Sequence, residues 1–160
     1  MTAAAHDMHY RKRGRFAAFG PPTHALLRIG AALLFMQHGA QKLLGMFGGM
    51  GPDGGTVELM SRFGLAGVIE LFGGLLILIG LFTRPVAFLA AGEMVAAFFI
   101  AHLPRGGAPI QNGGELPLLF ALVFLFLAGN GAGPFSVDAM LNRTAGTAGT
   151  AETAGTAGPL

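Results

Sequence analysis

Four apolar runs divide this chain, near His24 to Leu44, Phe63 to Phe82, Val86 to Leu103 and Glu115 to Gly129. A helix needs about 20 such residues to cross about 30 Å of hydrocarbon, where its backbone must satisfy its own N–H and C=O groups. The last run is short unless it continues toward Gly133. Only 11% of the 160 residues are charged and 52% are hydrophobic, against roughly 25% charged in a soluble domain. The expected fold class is therefore all-α, a four-transmembrane-helix bundle over residues 23–142.

The segments around the bundle read differently. Arg11, Lys12, Arg13 and Arg15 make residues 1–22 a flexible basic arm, closed by Pro21 and Pro22. From Arg143 onward "RTAGTAGTAETAGTAGPL" has too few large apolar groups to bury and reads as a disordered tail. A secretory signal would share the basic arm and apolar run, with "HGA" mimicking a cleavage site, but three further spans follow. An even number of spans puts both termini on one side. The excess of Arg11, Lys12, Arg13, Arg15, Arg84 and Arg143 over Arg62 and Arg105 assigns that side to the cytoplasm.

Connections carry the punctuation. "GMFGGMGPDGGTVELMSR" predicts a loop with a short helix at Val57 to Arg62, and "TRP" (Thr83 to Pro85) a tight hairpin. In "PRGGAPIQNGG", Asn112 is expected to cap the fourth helix, with Glu115 completing a capping box. "GNGAGP" ends that helix, and Ser136 is expected to cap a short turn at "SVDAML". Ala66, Gly73 and Gly80, with the pairs Ala87/Ala91 and Ala97/Ala101, predict close packing of the second span on the third.

Ionisable groups inside the spans are costly unless paired, snorkelling or facing a wet cavity. They are Arg28, His38, Lys42, Glu70, Glu93, His102 and Glu115. Counting about 1.5 Å per residue from the outer ends puts Lys42 roughly 3 Å deep, His38 about 9 Å, Glu70 about 10 Å and Glu93 about 15 Å. Six of the seven thus lie in the outer half or at the midplane, with Arg28 alone on the inner side. His38 and Lys42 share a helix face, beside Gln41.

His38 and Glu70 match in depth, which makes them the expected pair in a polar pocket open to the outer leaflet. The candidate proton-handling, catalytic groups are His38, Glu70 and Glu93; Arg28, Gln41, Lys42, His102, Asn112 and Glu115 are the candidate substrate-binding groups. Plainer roles stand beside these: Lys42 and Glu115 as snorkelling ends or caps, Arg28 as an inner-leaflet anchor, and His102 as a helix-end residue. Glu70 and Glu93 have no such exit, since neither reaches the headgroups easily.

The absence of cysteine excludes disulfides, thiolate metal sites and thiol catalysis. Redox chemistry then needs a bound cofactor or a partner. No phosphate loop, dinucleotide-binding glycine pattern or metal-ligand cluster appears, and nothing points to nucleic acid.

The order of three stretches, "LLRIGAALLFMQHGAQKLLG" (Leu26 to Gly45), "VIELFGGLLILIGLFTRPVAFLAAGEM" (Val68 to Met94) and "NGGELPLLFALVFLFLAGNGAGPFSVDAML" (Asn112 to Leu141), resembles the DoxX family of small bacterial membrane proteins. Arg28, His38, Lys42, Glu70, Asn112, Glu115 and Asp138 stand at matching positions. The resemblance implies a four-helix membrane protein. It also implies kinship with subunits of quinone-coupled sulfur oxidation or of redox-stress complexes with soluble partners. Expected associates are membrane lipids, a membrane quinone, a soluble redox partner protein and further copies of the chain. A small-molecule or proton-coupled permease, and a non-catalytic anchor for a soluble enzyme, remain alternatives.

Overall fold

A computed structural model describes residues 15–144. The greater part of the expected basic arm and of the TAG-repeat tail lies outside the described residues. Helix α1 spans Gly20–Leu44, one turn longer at its start than expected. Pro21 and Pro22 do not close an arm but occupy the first turn of the helix, where a missing N–H costs nothing and the fixed φ of proline suits the helix. A 3-10 turn, Arg15–Phe19, leads into it.

Helix α2 runs over Arg62–Ile79 and α3 over Thr83–Arg105; both are long and apolar enough to cross a membrane. Helix α4, Glu115–Asn130, is the shorter apolar helix. A final helix α5 occupies residues 137–144, so the first residues assigned to the tail are helical. Ser136 caps it as expected, its Oγ accepting from the Ala139 N–H at 3.2 Å.

Two sequence expectations, a short helix at Val57 to Arg62 and a cap at Asn112, fail for local reasons. Residues 57–61 form no helix: the Val57 N–H bonds the Lys42 carbonyl at 2.9 Å, and Ser61 is the N-cap, accepting from the Gly64 N–H at 3.1 Å. Helix α2 therefore begins where the expected short helix ends. Asn112 does not cap α4 and forms no capping box with Glu115, because it ends a separate helical turn, Pro109–Asn112, and Gly114 precedes α4.

The helices alternate in direction. Arg28 near the start of α1 reaches the end of α2, and His24 reaches Gly131 beyond α4. At the opposite end, His102 of α3 meets Asn112 before α4. The core between the ends is small and aromatic: Ala32, Phe35, Ile77, Ala87, Phe124 and Leu127 are its closed centre. Phe35 packs edge-on to Phe124 with ring centroids 4.6 Å apart. With lipid as apolar as leucine outside, such packing holds helices together by dispersion rather than by exclusion of water.

Close approach occurs between α1 and α2, not between α2 and α3 as the small-residue spacing predicted. A Cβ on Gly39 would lie 2.5 Å from the Leu71 nitrogen and 2.8 Å from the Gly67 oxygen, and one on Gly74 would lie 2.5 Å from Met36 Cγ. The alanines of α3 instead serve its contact with α4. The α2 glycines that meet α1 are Gly67 and Gly74, one position along from the expected Ala66 and Gly73, of which Gly73 faces Val86 of α3, and on α1 the small residue at the crossing is Gly39.

Candidate functional site

Lys42 lies in the last turn of α1, and Glu70 opens a π-helical turn, Ile69–Gly73, within α2. The close α1–α2 crossing at Gly39 and Gly67 brings them together. The Lys42 ammonium donates to both Glu70 carboxylate oxygens, and the residues are only 9% and 2% exposed. This overturns the expected His38–Glu70 pair. His38 turns instead toward α4, its ring perpendicular to that of Phe120 at 6.2 Å between centroids. Depth along an axis locates Cα atoms, whereas the four-carbon stem of lysine carries its charge several ångströms inward.

Around the pair lies a cavity of about 490 Å³ bounded by α1, α2, α3 and α4. His38, Gln41, Lys42, Glu70, Glu93 and His102 all line it, so six of the nine candidate residues converge on one space. Apart from Arg62 the remaining wall is apolar, with Phe63, Ile69, Ile100, Leu116 and Phe120 among its members. Such a size and mixture suits a drug-sized organic ligand held by a few oriented polar groups. Glu93 Oε2 is buried with no hydrogen-bond partner among the described residues. An unpaired carboxyl oxygen at a cavity wall is costly, and that cost falls when a ligand or proton meets it.

His102 sits in a second π-helical turn, Phe98–His102, and its Nδ1 bonds the Asn112 carbonyl at 3.1 Å. π-turns are uncommon and concentrate at functional sites. Here one carries Glu70 and the other His102, and both residues line the same cavity. Arg62 and Met50 also line it, although sequence reasoning put Met50 in a loop and Arg62 at the end of a short helix and made neither a candidate. The Ser61 cap immediately before Arg62 is the signal that places this arginine on the helix.

Three candidates lie elsewhere. Asn112 is buried beside the cavity as a loop brace, Nδ2 donating to Gly106 O at 2.6 Å and Oδ1 accepting from Gly114 N at 2.8 Å. Glu115 is exposed in the first turn of α4 and does not line the cavity. Arg28 occupies the opposite end of the fold, 1% exposed. Its guanidinium donates to the carbonyls of Ala132 at 3.1 Å, Ile77 at 2.6 Å and Phe135 at 2.7 Å, and also to that of Leu78. The planar fork thus ties the glycine-capped end of α2 to the segment after α4.

Asp138 completes that end. Its carboxylate accepts from the Phe82 N–H at 2.9 Å and the Thr83 N–H at 3.0 Å, and its own N–H donates to Gly80 O at 2.9 Å. The negative charge sits at the start of α3, where the helix dipole favours it. Both groups matching the family resemblance at this end are therefore structural ties.

Comparison with known proteins agrees with the motifs. The DoxX family model matches residues 23–103. An uncharacterized protein of Haemophilus influenzae is 43% identical over 121 residues, covering 71% of this chain and 87% of its own. "Putative oxidoreductase CatD" of Bacillus subtilis is 31% identical over 120 residues, covering 71% and 82%. The inner membrane protein YqjF of Escherichia coli is 30% identical over 123 residues, covering 72% and 89%. No solved structure matches the chain. With its motifs, its two long apolar helices and these relatives in agreement, the chain belongs to the DoxX family and is a bacterial, multi-pass inner-membrane protein.

Proposed function

We propose that this protein is the membrane subunit of a quinone-linked redox system, with the cavity between α1, α2, α3 and α4 receiving the head of a lipophilic quinone. The observation that carries this reading is the joint presence of apolar walls, a partnerless Glu93 oxygen, and His38 and His102 around one space. The name of the Bacillus subtilis relative points the same way.

Reduction of a quinone to its quinol consumes two electrons and two protons. Cysteine-free and built of proton-exchanging side chains, this chain supplies the protons, with His38 and Glu93 delivering them at the two ring oxygens. Lys42, its charge balanced by Glu70, holds a donor near the same oxygens. The electrons come from a soluble electron-transfer protein docking on the membrane subunit.

In the same reading all four long helices cross the membrane, both termini are cytoplasmic and the cavity opens toward the outer leaflet. The alternating helix directions support this arrangement, as do Arg28 and Arg84 at the end shared with the N-terminus. A permease is less well supported: the closed core of Phe35, Ile77, Phe124 and Leu127 separates the cavity from the Arg28 end.

Extraction of the protein purified in native lipids tests the reading. It is expected to carry a quinone detectable by mass spectrometry, depleted in an Ala101→Phe variant that fills the cavity without altering charge. Equal quinone in both, at the level of bulk lipid, contradicts it. Substrate uptake by liposomes holding only this chain favours the permease.

A further inference from the structure

Resting on the quinone reading, we infer that the cavity binds the reduced, hydroxyl-bearing form of its ligand in preference to the oxidised form, and that His102 sets this preference. The tautomer of His102 is fixed by its surroundings. Asn112 is 4% exposed and its side chain is held at both ends, by Gly106 and Gly114. Its carbonyl is therefore rigid, and it faces His102 Nδ1 at 3.1 Å. A carbonyl only accepts, so Nδ1 carries the proton, and in the neutral imidazole Nε2 is left with a lone pair.

His102 lines the cavity, and Nε2 is the ring nitrogen it has left to offer. A quinol hydroxyl donates to that lone pair. A quinone carbonyl in the same place sets two acceptors against each other. The other polar groups discriminate less: the Lys42 and Arg62 N–H groups suit a hydroxyl oxygen and a carbonyl oxygen alike, the Gln41 amide both donates and accepts, and the His38 imidazole and Glu93 carboxyl do either according to their protons. Asn112 acts through His102 as a positioning residue.

One neutral hydrogen bond of about 1 kcal/mol corresponds to roughly fivefold in affinity. Fivefold tighter binding of the reduced form raises the potential of the bound two-electron couple by about 20 mV, at 29.6 mV per tenfold. The site thereby makes a bound quinone a stronger electron acceptor, as a membrane subunit receiving electrons from a soluble donor requires.

The test uses the full chain in nanodiscs, kept anaerobic in mildly alkaline buffer and titrated calorimetrically with decylbenzoquinone and with decylbenzoquinol. The quinol is expected to bind about fivefold more tightly. In His102→Phe the ratio of the two affinities falls to about one. His102→Asn, which keeps a donor to the Asn112 carbonyl and removes Nε2, gives the same loss should the phenylalanine variant fail to fold. Equal or tighter quinone binding by the wild type overturns the inference, as does an unchanged ratio in His102→Asn. Binding of neither form removes the quinone reading itself, and the inference with it.

Discussion

Lys42 of α1 and Glu70 of α2 form an ion pair shut away from solvent, at the level where Gly39 lets the two helices meet. The pair closes one wall of the cavity and holds together the helices that make it. Taking two charges out of water is expensive, and their mutual attraction offsets this only while both are present.

Removing one partner strands the other. Lys42→Met and Glu70→Leu are each expected to destabilise the protein by about 3–5 kcal/mol. Lys42→Met/Glu70→Leu together should lose much less than the sum of the single losses. Thermal unfolding of all variants in one detergent measures the coupling, and additive losses would contradict a direct pair.

Arg28 should behave as a fastener rather than a ligand group. Arg28→Lys keeps the charge but loses the fork that meets the carbonyls of Ile77, Leu78, Ala132 and Phe135. A loss of about 2 kcal/mol or more is expected from hydrogen bonds of a charged donor. Quinone affinity at the distant cavity should not change in the folded fraction.

Asp138 holds an awkward turn. Phe82 has φ +49°, a left-handed conformation that bulky residues rarely adopt, and its N–H is fixed by the Asp138 carboxylate. Asp138→Ala should cost about 1 kcal/mol, as losing a cap does elsewhere. Faster hydrogen exchange confined to the Phe82 and Thr83 amides would locate the effect.

The glycines of the α1–α2 crossing should not tolerate a methyl group. Gly39→Ala meets backbone at 2.5 Å, whereas a Cβ on Gly92 meets nothing within 4 Å. The first is expected to destabilise by about 1–3 kcal/mol through overpacking, with Gly92→Ala close to neutral. Equal behaviour of the two would contradict the close crossing.

Much of this arrangement was legible in the sequence because hydropathy and punctuation act locally. The apolar runs and the Ser136 cap depend on neighbours within a few residues, whereas the hairpin expected at Thr83 to Pro85 lies at Gly80 to Phe82, and Thr83 to Pro85 open α3 with the proline in its first turn. The convergence of His38, Gln41, Lys42, Glu70, Glu93 and His102 was legible too, since charge in lipid must be gathered somewhere. Which of them pair was not. That depends on the rotation of α1 about its axis and on side-chain reach, and it gave Glu70 to Lys42 while turning His38 to Phe120. The π-turns were equally hidden: one extra residue per turn leaves no mark in an unbroken apolar run.

The central claim is that the cavity is a quinone site, and photolabelling tests it most directly. A photoreactive azidoquinone added to native membranes, followed by peptide mapping, is predicted to label His38 to Met50, Glu93 to His102 or Gly113 to Phe120. Excess unlabelled decylbenzoquinone should compete. Labelling confined to the Arg28 and Asp138 end, or labelling that resists competition, would contradict the account.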